Sequence, residues 1–405
     1  MSVPRAVITG YGCTSSLGDT APETWAGMAG GRSGISPVPP SELGEVSISR
    51  AGLVRRDLSD MFEPRVMRQY DRVSLLAIAA AEEAVAHSGL VITDELAARA
   101  GSIIGIGNCG WEAVEEGYVR FLIEAKRRSK IFSVPRVMPS APTSSVSMHL
   151  GLKGPSFGVT SACSSSNHAF TAALQQIRCG LADVMIAGGA EAPIMFGILR
   201  AWEALRIVAP ESCSPFDLNR RGLVLGEGSG VIVLESLEHA RARGATIYAE
   251  FAGAGSSADA GDLVIPSPAG PEQALRSCLQ DARLNPADID YINAHGTGTK
   301  ANDAVECNVI RRVFGEHADR LSLSSTKAMH GHALGGAGAI EVVACIGALT
   351  ENVVPPTINF ETPDPECDLD VTPNHAKERE VGAVLSNSFA FGGLNSVLAF
   401  KKFVD

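Results

Sequence analysis

Short apolar runs alternate with longer amphipathic stretches along most of this chain. Residues 5–10 read as a buried strand opening into a glycine turn, Gly10-Tyr11-Gly12, and 25–31 as a short helix. Residues 35–62 carry prolines and little periodicity. The Ala-rich stretch 74–88 reads as a packed core helix, and 101–107 as a buried strand ending in glycines. Residues 156–160 form a β-type run. The helical pattern of 167–180 then sets Phe170, Leu174 and Ile177 on one face. Residues 184–187 read as a strand entering a turn at Gly188-Gly189-Ala190, 230–234 as a strand and 238–243 as a helix. A strand at 247–253 opens a second half, with a helix at 271–284 and a strand at 290–294. Strands alternating with helices predict an α/β protein with a largely parallel sheet in each half. The stretch from Val384 to Gly393 repeats the plan around Cys163, a strand running into a tight turn of small residues. That suggests two copies of one unit.

Composition narrows this picture. A chain of 405 residues with 45% hydrophobic and 20% charged content can bury a large core and suits two joined subdomains. A net charge of −11 argues against general nucleic-acid binding. The nine cysteines are scattered singly, with no C-x-x-C pair. No secretory signal precedes Ala6-Val7-Ile8-Thr9, so free thiols in the cytoplasm are expected. No apolar run is expected to span a membrane of roughly 20 residues.

The chemistry concentrates around Val159-Thr160-Ser161-Ala162-Cys163-Ser164-Ser165-Ser166. A cysteine between a strand and a helix meets the first helical N–H groups, and the helix dipole favours its thiolate. A nucleophile and a buried structural cysteine both fit. In the second half, His295-Gly296-Thr297-Gly298-Thr299 follows a strand. Lys327-Ala328-Met329-His330-Gly331-His332 leads into a helix containing Glu341, and Phe389 to Asn395 closes the set. A cysteine with two histidines suits acyl transfer or carbon–carbon bond formation on thioesters. Weaker rivals are a dinucleotide-binding G-x-G-x-x-G at 105–110, a serine-hydrolase elbow at Ser156, and a metal site at His330 and His332.

Four segments resemble the signatures of the β-ketoacyl-acyl-carrier-protein synthases. They are Ser161-Ala162-Cys163-Ser164-Ser165, Asn293 to Thr299, Ser325 to His332, and Asn387 to Gly393. The likeness runs from Val7 to Lys402 and is closest to the elongating synthase II branch, which includes type II polyketide ketosynthases. It implies a thiolase-like α/β fold, two duplicated α/β halves in a five-layer αβαβα arrangement, divided here into 1–250 and 251–405. It also implies a dimer. The implied reaction is the decarboxylative Claisen condensation of an acyl-enzyme with malonyl-acyl carrier protein, in fatty-acid or polyketide chain elongation.

By this resemblance, Cys163 takes the acyl chain. The N–H groups of Cys163 and Phe391 hold the oxyanion, and His295 and His332 stabilise the malonyl-derived enolate. Lys327 and Glu341 support His332. Thr297 and Thr299 line the pantetheine arm, Phe391 gates the acyl pocket, and Leu199, Phe389 and Asn108 contact substrate. Arg65 and Arg68, with Lys126 and Arg127 of a second basic run, are the expected docking residues for an acidic acyl carrier protein. No cofactor and no catalytic metal are implied, and a structural monovalent cation near Asn293, Glu341 and Asn387 is compatible with the family. The partner is a second copy or a chain-length-factor subunit, with no nucleic acid and no membrane. Four departures from the common pattern leave room for a specialised polyketide or polyene ketosynthase as the alternative to a fatty-acid elongase. Asn108 stands at an expected acyl-pocket floor, where an unpaired amide is costly. His330 replaces a smaller residue, Leu394 replaces threonine, and the loop 256–266 lacks a histidine. A scaffolding subunit without turnover is the rival of another class, and the intact cysteine and histidines argue against it.

Overall fold

A computed structural model describes residues 3–405. The first half contributes strands β1 (Ala6–Ser15), β2 (Ala100–Gly105), β3 (Ser156–Val159), β4 (Val184–Glu191) and β5 (Gly228–Ser236), with helices α1 (Arg72–Ser88), α2 (Ala141–Leu150) and α3 (Ser165–Arg178). The second contributes β6 (Ala249–Ala258), β7 (Tyr291–Asn293), β8 (Ser322–Ser324), β9 (Ala383–Ala390) and β10 (Leu394–Lys401), with α4 (Ala269–Ala282), α5 (Lys300–Phe314) and α6 (Ala337–Glu351).

These strands line up as β8-β7-β9-β10-β6-β1-β5-β4-β2-β3. Each half therefore has the same order: third, second, fourth, fifth, first. In each, the first three of these neighbours pair in parallel, and the strand that is fifth in the chain runs antiparallel to both of its neighbours. Four strands of five thus share one direction, and the expected duplication is present as topology. The halves meet where Ala6, Val7 and Ile8 of β1 pair antiparallel with Phe251, Glu250 and Ala249 of β6.

Helices α3 and α6 lie between the two halves of the sheet, each touching strands of both. Helices α1 and α2 cover the outer face of the first half, and α4 with α5 that of the second, which makes five layers. Burial follows this placement. Helix α1 starts after Asp71 and ends at Gly89, whose φ of +63° suits glycine. Helix α6 is buried on every side from Ala337 to Leu349. The stretch Leu334–Glu351 is long and apolar enough to cross a membrane, contrary to the expectation from sequence, but it is the central core helix of this fold.

Two expected turns are strand. β1 continues through Gly10 and Gly12 because helix α1 lies directly on them. A Cβ at Gly10 would stand 2.3 Å from the Ala84 carbonyl oxygen, and one at Gly12 2.2 Å from that of Ala80. β4 likewise continues through Gly188 and Gly189, where a Cβ would meet the Gly230 carbonyl or the Ser166 hydroxyl. These glycines serve close packing of backbones. The irregular stretch 35–62 includes a short antiparallel ribbon, Ile35–Pro37 with Arg50–Gly52.

Candidate active site

Cys163 sits in the short link between β3 and α3. The link turns sharply at Ala162, whose φ is +48°, and Ser164 is the last residue before the helix. The Ser164 hydroxyl donates to the carbonyls of Ser388 (2.9 Å) and Leu394 (2.7 Å), which ties the link to β9 and β10 of the other half. The N–H groups of Cys163 itself and of Phe391 are directed at the sulfur. Phe391 follows β9 in a tight turn whose next residues, Gly392 and Gly393, have φ of +78° and +67°. The sequence suggested a thiolate, but burial pushes the thiol up to about 12. The Lys327 charge and the two amides only partly offset this, and Glu191 adds to it. The resting sulfur is therefore protonated at neutral pH.

His295 follows β7, at the carboxyl end of a parallel strand as expected. Its backbone N–H and that of Gly296 both donate to Glu306 on α5 (2.8 Å each), and the Asn387 side-chain amide also donates to Glu306 (3.0 Å). The His295 and His332 rings stand edge to face with centroids 5.5 Å apart, and the Phe389 ring lies 6.0 Å from that of His295. Burial, the Lys327 charge and the neighbouring imidazoles hold both histidines well below 6.5, so both are neutral near pH 7. The Leu334 N–H donates to His332 Nδ1 at 3.2 Å. An accepting nitrogen carries no proton, so neutral His332 keeps its proton on Nε2 and is a donor there. Lys327 and Glu341 form a fully buried ion pair behind the imidazoles. Burial raises Glu341 to about 7, against the pull of Lys327.

Cys163, His295, His332, Thr297, Thr299, Phe389 and Phe391 all line one cavity of ≈130 Å³. Thr297 and Thr299 are linked through their hydroxyls at 2.9 Å. Leu199 packs in the apolar cluster that holds Cys163, together with half-buried Leu394, and also borders a cavity of ≈460 Å³. Asn108 is not among the residues lining the Cys163 cavity, and its backbone N–H donates to Glu191 at 2.9 Å. Arg65, Arg68, Lys126 and Arg127 are exposed and lie outside the cavity lining.

The rival readings lose their geometry. In the 105–110 loop, the N–H groups of Gly107 and Asn108 are taken by Glu191, leaving no phosphate cradle there. Ser156 opens β3 and hydrogen-bonds Gly154 and Ser102, with no imidazole beside it. His330 is buried and bonds Thr326 through Nε2 at 3.1 Å, and burial lowers it to about 3. Among the described residues no group of three or more His, Cys, Asp or Glu is arranged to hold a metal. A different oxygen set fits a small cation. Asn293 Oδ1, Asn387 Oδ1, Ser386 Oγ and Glu341 Oε2 are buried without hydrogen-bond partners. The one carboxylate among them is already balanced by Lys327, which suits a monovalent ion better than a divalent one.

Sequence reading missed Glu306, and also Trp202, whose ring stacks on Phe391 at 6.2 Å. A signal for Glu306 exists. Asp303, Glu306, Ile310 and Val313 follow helical spacing on the buried face of α5. A carboxylate inside an apolar stripe needs donors, and here they are the backbone groups that follow β7.

A cysteine at a strand-to-helix link, two neutral imidazoles and a pair of sulfur-directed amides, assembled between two duplicated halves, define a thiolase-like condensing enzyme. The chain belongs to the β-ketoacyl synthase family: the N-terminal domain of that family matches residues 4–240 and its C-terminal domain residues 248–361. It is a ketosynthase, an acyltransferase that forms carbon–carbon bonds by Claisen-type condensation. It is 54% identical over 402 residues to nodulation protein E of Rhizobium sp. (strain N33), covering 98% of this chain and 99% of that one. Identity to 3-oxoacyl-[acyl-carrier-protein] synthase 2 of Staphylococcus aureus (strain N315) is 40% over 407 residues, covering 98% of each. Among solved structures, the ishigamide ketosynthase/chain length factor superposes with a TM-score of 0.92 at 33% identity, covering 100% of each chain. A type II PKS acyl-carrier protein in complex with its ketosynthase bound to the hexaketide does so with a TM-score of 0.91 at 32% identity, covering 99% of this chain and 100% of that one.

Proposed function

We propose that this protein is a specialised type II ketosynthase that extends a carrier-bound chain, with residues 1–250 supplying the nucleophile and 251–405 the decarboxylating histidines. The observation that carries the reading is the single cavity lined by Cys163, His295 and His332, with two N–H groups aimed at the sulfur. Higher identity to nodulation protein E than to the staphylococcal synthase, and the likeness to polyketide ketosynthases, support the specialised branch.

In the first half-reaction the Cys163 thiol attacks the acyl thioester. The carbonyl electrons collect on an oxygen held by the Cys163 and Phe391 amides, and the carrier leaves as its thiol with the proton. Malonyl-acyl carrier protein then enters past Thr297 and Thr299. Carbon dioxide leaves, and its bonding pair forms an enolate whose oxygen accepts hydrogen bonds from His295 and His332. The enolate carbon attacks the acyl carbonyl, and Cys163 departs with the electron pair and takes up a proton from water to return to the resting thiol. Neutral imidazoles suit this step because each presents one N–H to the enolate oxygen while its other nitrogen can accept an orienting hydrogen bond. Lys327 and Glu341 keep the local field fixed, Phe391 and Phe389 border the acyl entrance, and Leu199 borders the chain. A monovalent cation on Asn293, Asn387, Ser386 and Glu341 would brace β7 against β9 and α6.

The partners are acyl- and malonyl-loaded acyl carrier protein, docking on Arg65 and Arg68 with Lys126 and Arg127, in the cytoplasm. The second subunit is another copy or a chain-length factor. Strand β3 ends the sheet, and Phe157 on it is exposed. Such an apolar sheet edge calls for a covering subunit.

The test is intact-protein mass after incubation with a panel of acyl-carrier proteins, followed by malonyl-carrier protein. The wild type gains the acyl mass and discharges it as a β-ketoacyl product, and Cys163→Ala does neither. An acyl mass retained on Cys163→Ala overturns the assignment of the nucleophile.

A further inference from the structure

Glu191 ends β4 with its carboxylate fully buried, and no cation pairs with it. Its partners are backbone donors from two halves of the molecule. Oε2 accepts from Gly107 (2.8 Å) and Gly335 (2.9 Å), Oε1 accepts from Asn108 (2.9 Å), and the Asn108 side chain donates as well. The joint is tight: a Cβ on Gly335 would lie 2.0 Å from the Gly107 nitrogen, and one on Gly107 2.6 Å from Glu191 Oε2. Gly335 belongs to the turn that follows His332. Within that turn Leu334 holds a φ of +44° and donates its N–H to His332 Nδ1. Burial pushes this carboxyl up to about 8 against the downward pull of the donated N–H groups, so the hydrogen bonds favour its ionised form. Through them it anchors the turn whose N–H decides which ring nitrogen of His332 is protonated.

We infer that Glu191 is a positioning residue for His332: it pins the 334–336 turn to the 105–108 loop, so that His332 presents Nε2–H, the donor needed by the enolate oxygen. The inference rests on the role proposed for His332. A glutamine at 191 keeps the shape, but its amide turns N–H toward N–H on one side of the joint. The turn then loosens and the tautomer preference weakens. Acyl transfer to Cys163 does not use His332 as a donor to an enolate, so it is spared. Misplacement of an orienting group on this scale costs roughly 10²-fold in rate.

The experiment measures both half-reactions for wild type, E191Q, G335A and H332A, with histidine ¹⁵N NMR on each. For E191Q we expect acylation of Cys163 close to wild type, malonyl-carrier-protein decarboxylation slowed roughly 10²-fold, and a new Nδ1–H population for His332. G335A breaks the same joint from the other side and is expected to reproduce the pattern. Equal losses in both half-reactions with His332 still Nε2–H, or no loss in either, overturns the inference. So does a wild-type His332 found as Nδ1–H, a reading that needs no variant to fold. If H332A itself decarboxylates normally, the proposed role of His332 fails first. If H332A is impaired and a folded E191Q is not, only the positioning role fails.

Discussion

Neutrality of His295 and His332 is the residue-level property on which the condensation depends. Both are depressed well below 6.5, by burial first and by Lys327 second. The sign follows directly: a depressed imidazole stays neutral as pH falls through 6.5, whereas an ordinary one is half protonated there. The rate of malonyl-carrier-protein decarboxylation by Cys163→Ala, a variant in which acylation cannot interfere, should therefore stay flat between about pH 6 and 8. A fall by half near pH 6.5 would show that at least one imidazole titrates normally. Removing the Lys327 charge weakens the second cause, so Lys327→Met should move any acid-side loss upward in pH. The nucleophile and His295 were legible in the sequence because each follows a strand beside small residues, and His332, which follows a short helical turn, was legible through the Ser325–His332 segment. The carboxylates that hold them were not. Glu191 and Glu306 matter through backbone N–H groups contributed by other segments, and no local spacing records where those segments come to rest.

At the scale of elements, helices were legible to within a few residues where apolar spacing was regular, as in α1, α3 and α4. Strands β1 and β4 were cut short at their glycines, because glycine marks a turn locally and a close packing contact globally. The two meanings differ in what a methyl group does. In a turn with negative φ an alanine is tolerated, but at Gly12 a Cβ falls 2.2 Å from the Ala80 carbonyl oxygen and 2.7 Å from the Ala84 nitrogen. Both are backbone atoms of α1 and cannot swing away. Gly12→Ala should therefore lower stability by about 1–3 kcal/mol, the usual cost of overpacking. Urea unfolding would read this as a lower midpoint at unchanged slope. A midpoint equal to wild type would mean that α1 and β1 can separate without loss, and that the glycine has another purpose.

At the scale of the whole molecule, duplication explains why the site exists. Both halves deliver strand ends to the junction: β3 of the first leads to Cys163, and β7 and β9 of the second lead to His295 and Phe391. Neither half holds the complete set. The hydroxyl of Ser164 bonding the carbonyls of Ser388 and Leu394 fixes the two against each other at the sulfur. The same architecture leaves β3 as an open edge. β3 is paired on one side only, with β2, and its Phe157 is 42% exposed. A strand edge with an exposed aromatic promotes association, and the dimer proposed above covers it. β3 also leads directly into Cys163, so pairing along β3 would hold the nucleophile link from the side opposite Ser164. Placing a charge there separates the two consequences. Phe157→Lys should shift the protein toward monomer in sedimentation velocity, with little change in thermal unfolding of the protomer, because the residue is outside the core. Acylation of Cys163 should fall in proportion to the monomer fraction and recover as protein concentration is raised. A variant that remains dimeric would place the interface elsewhere, and a monomer with full acylation would show that the nucleophile link stands without its neighbour.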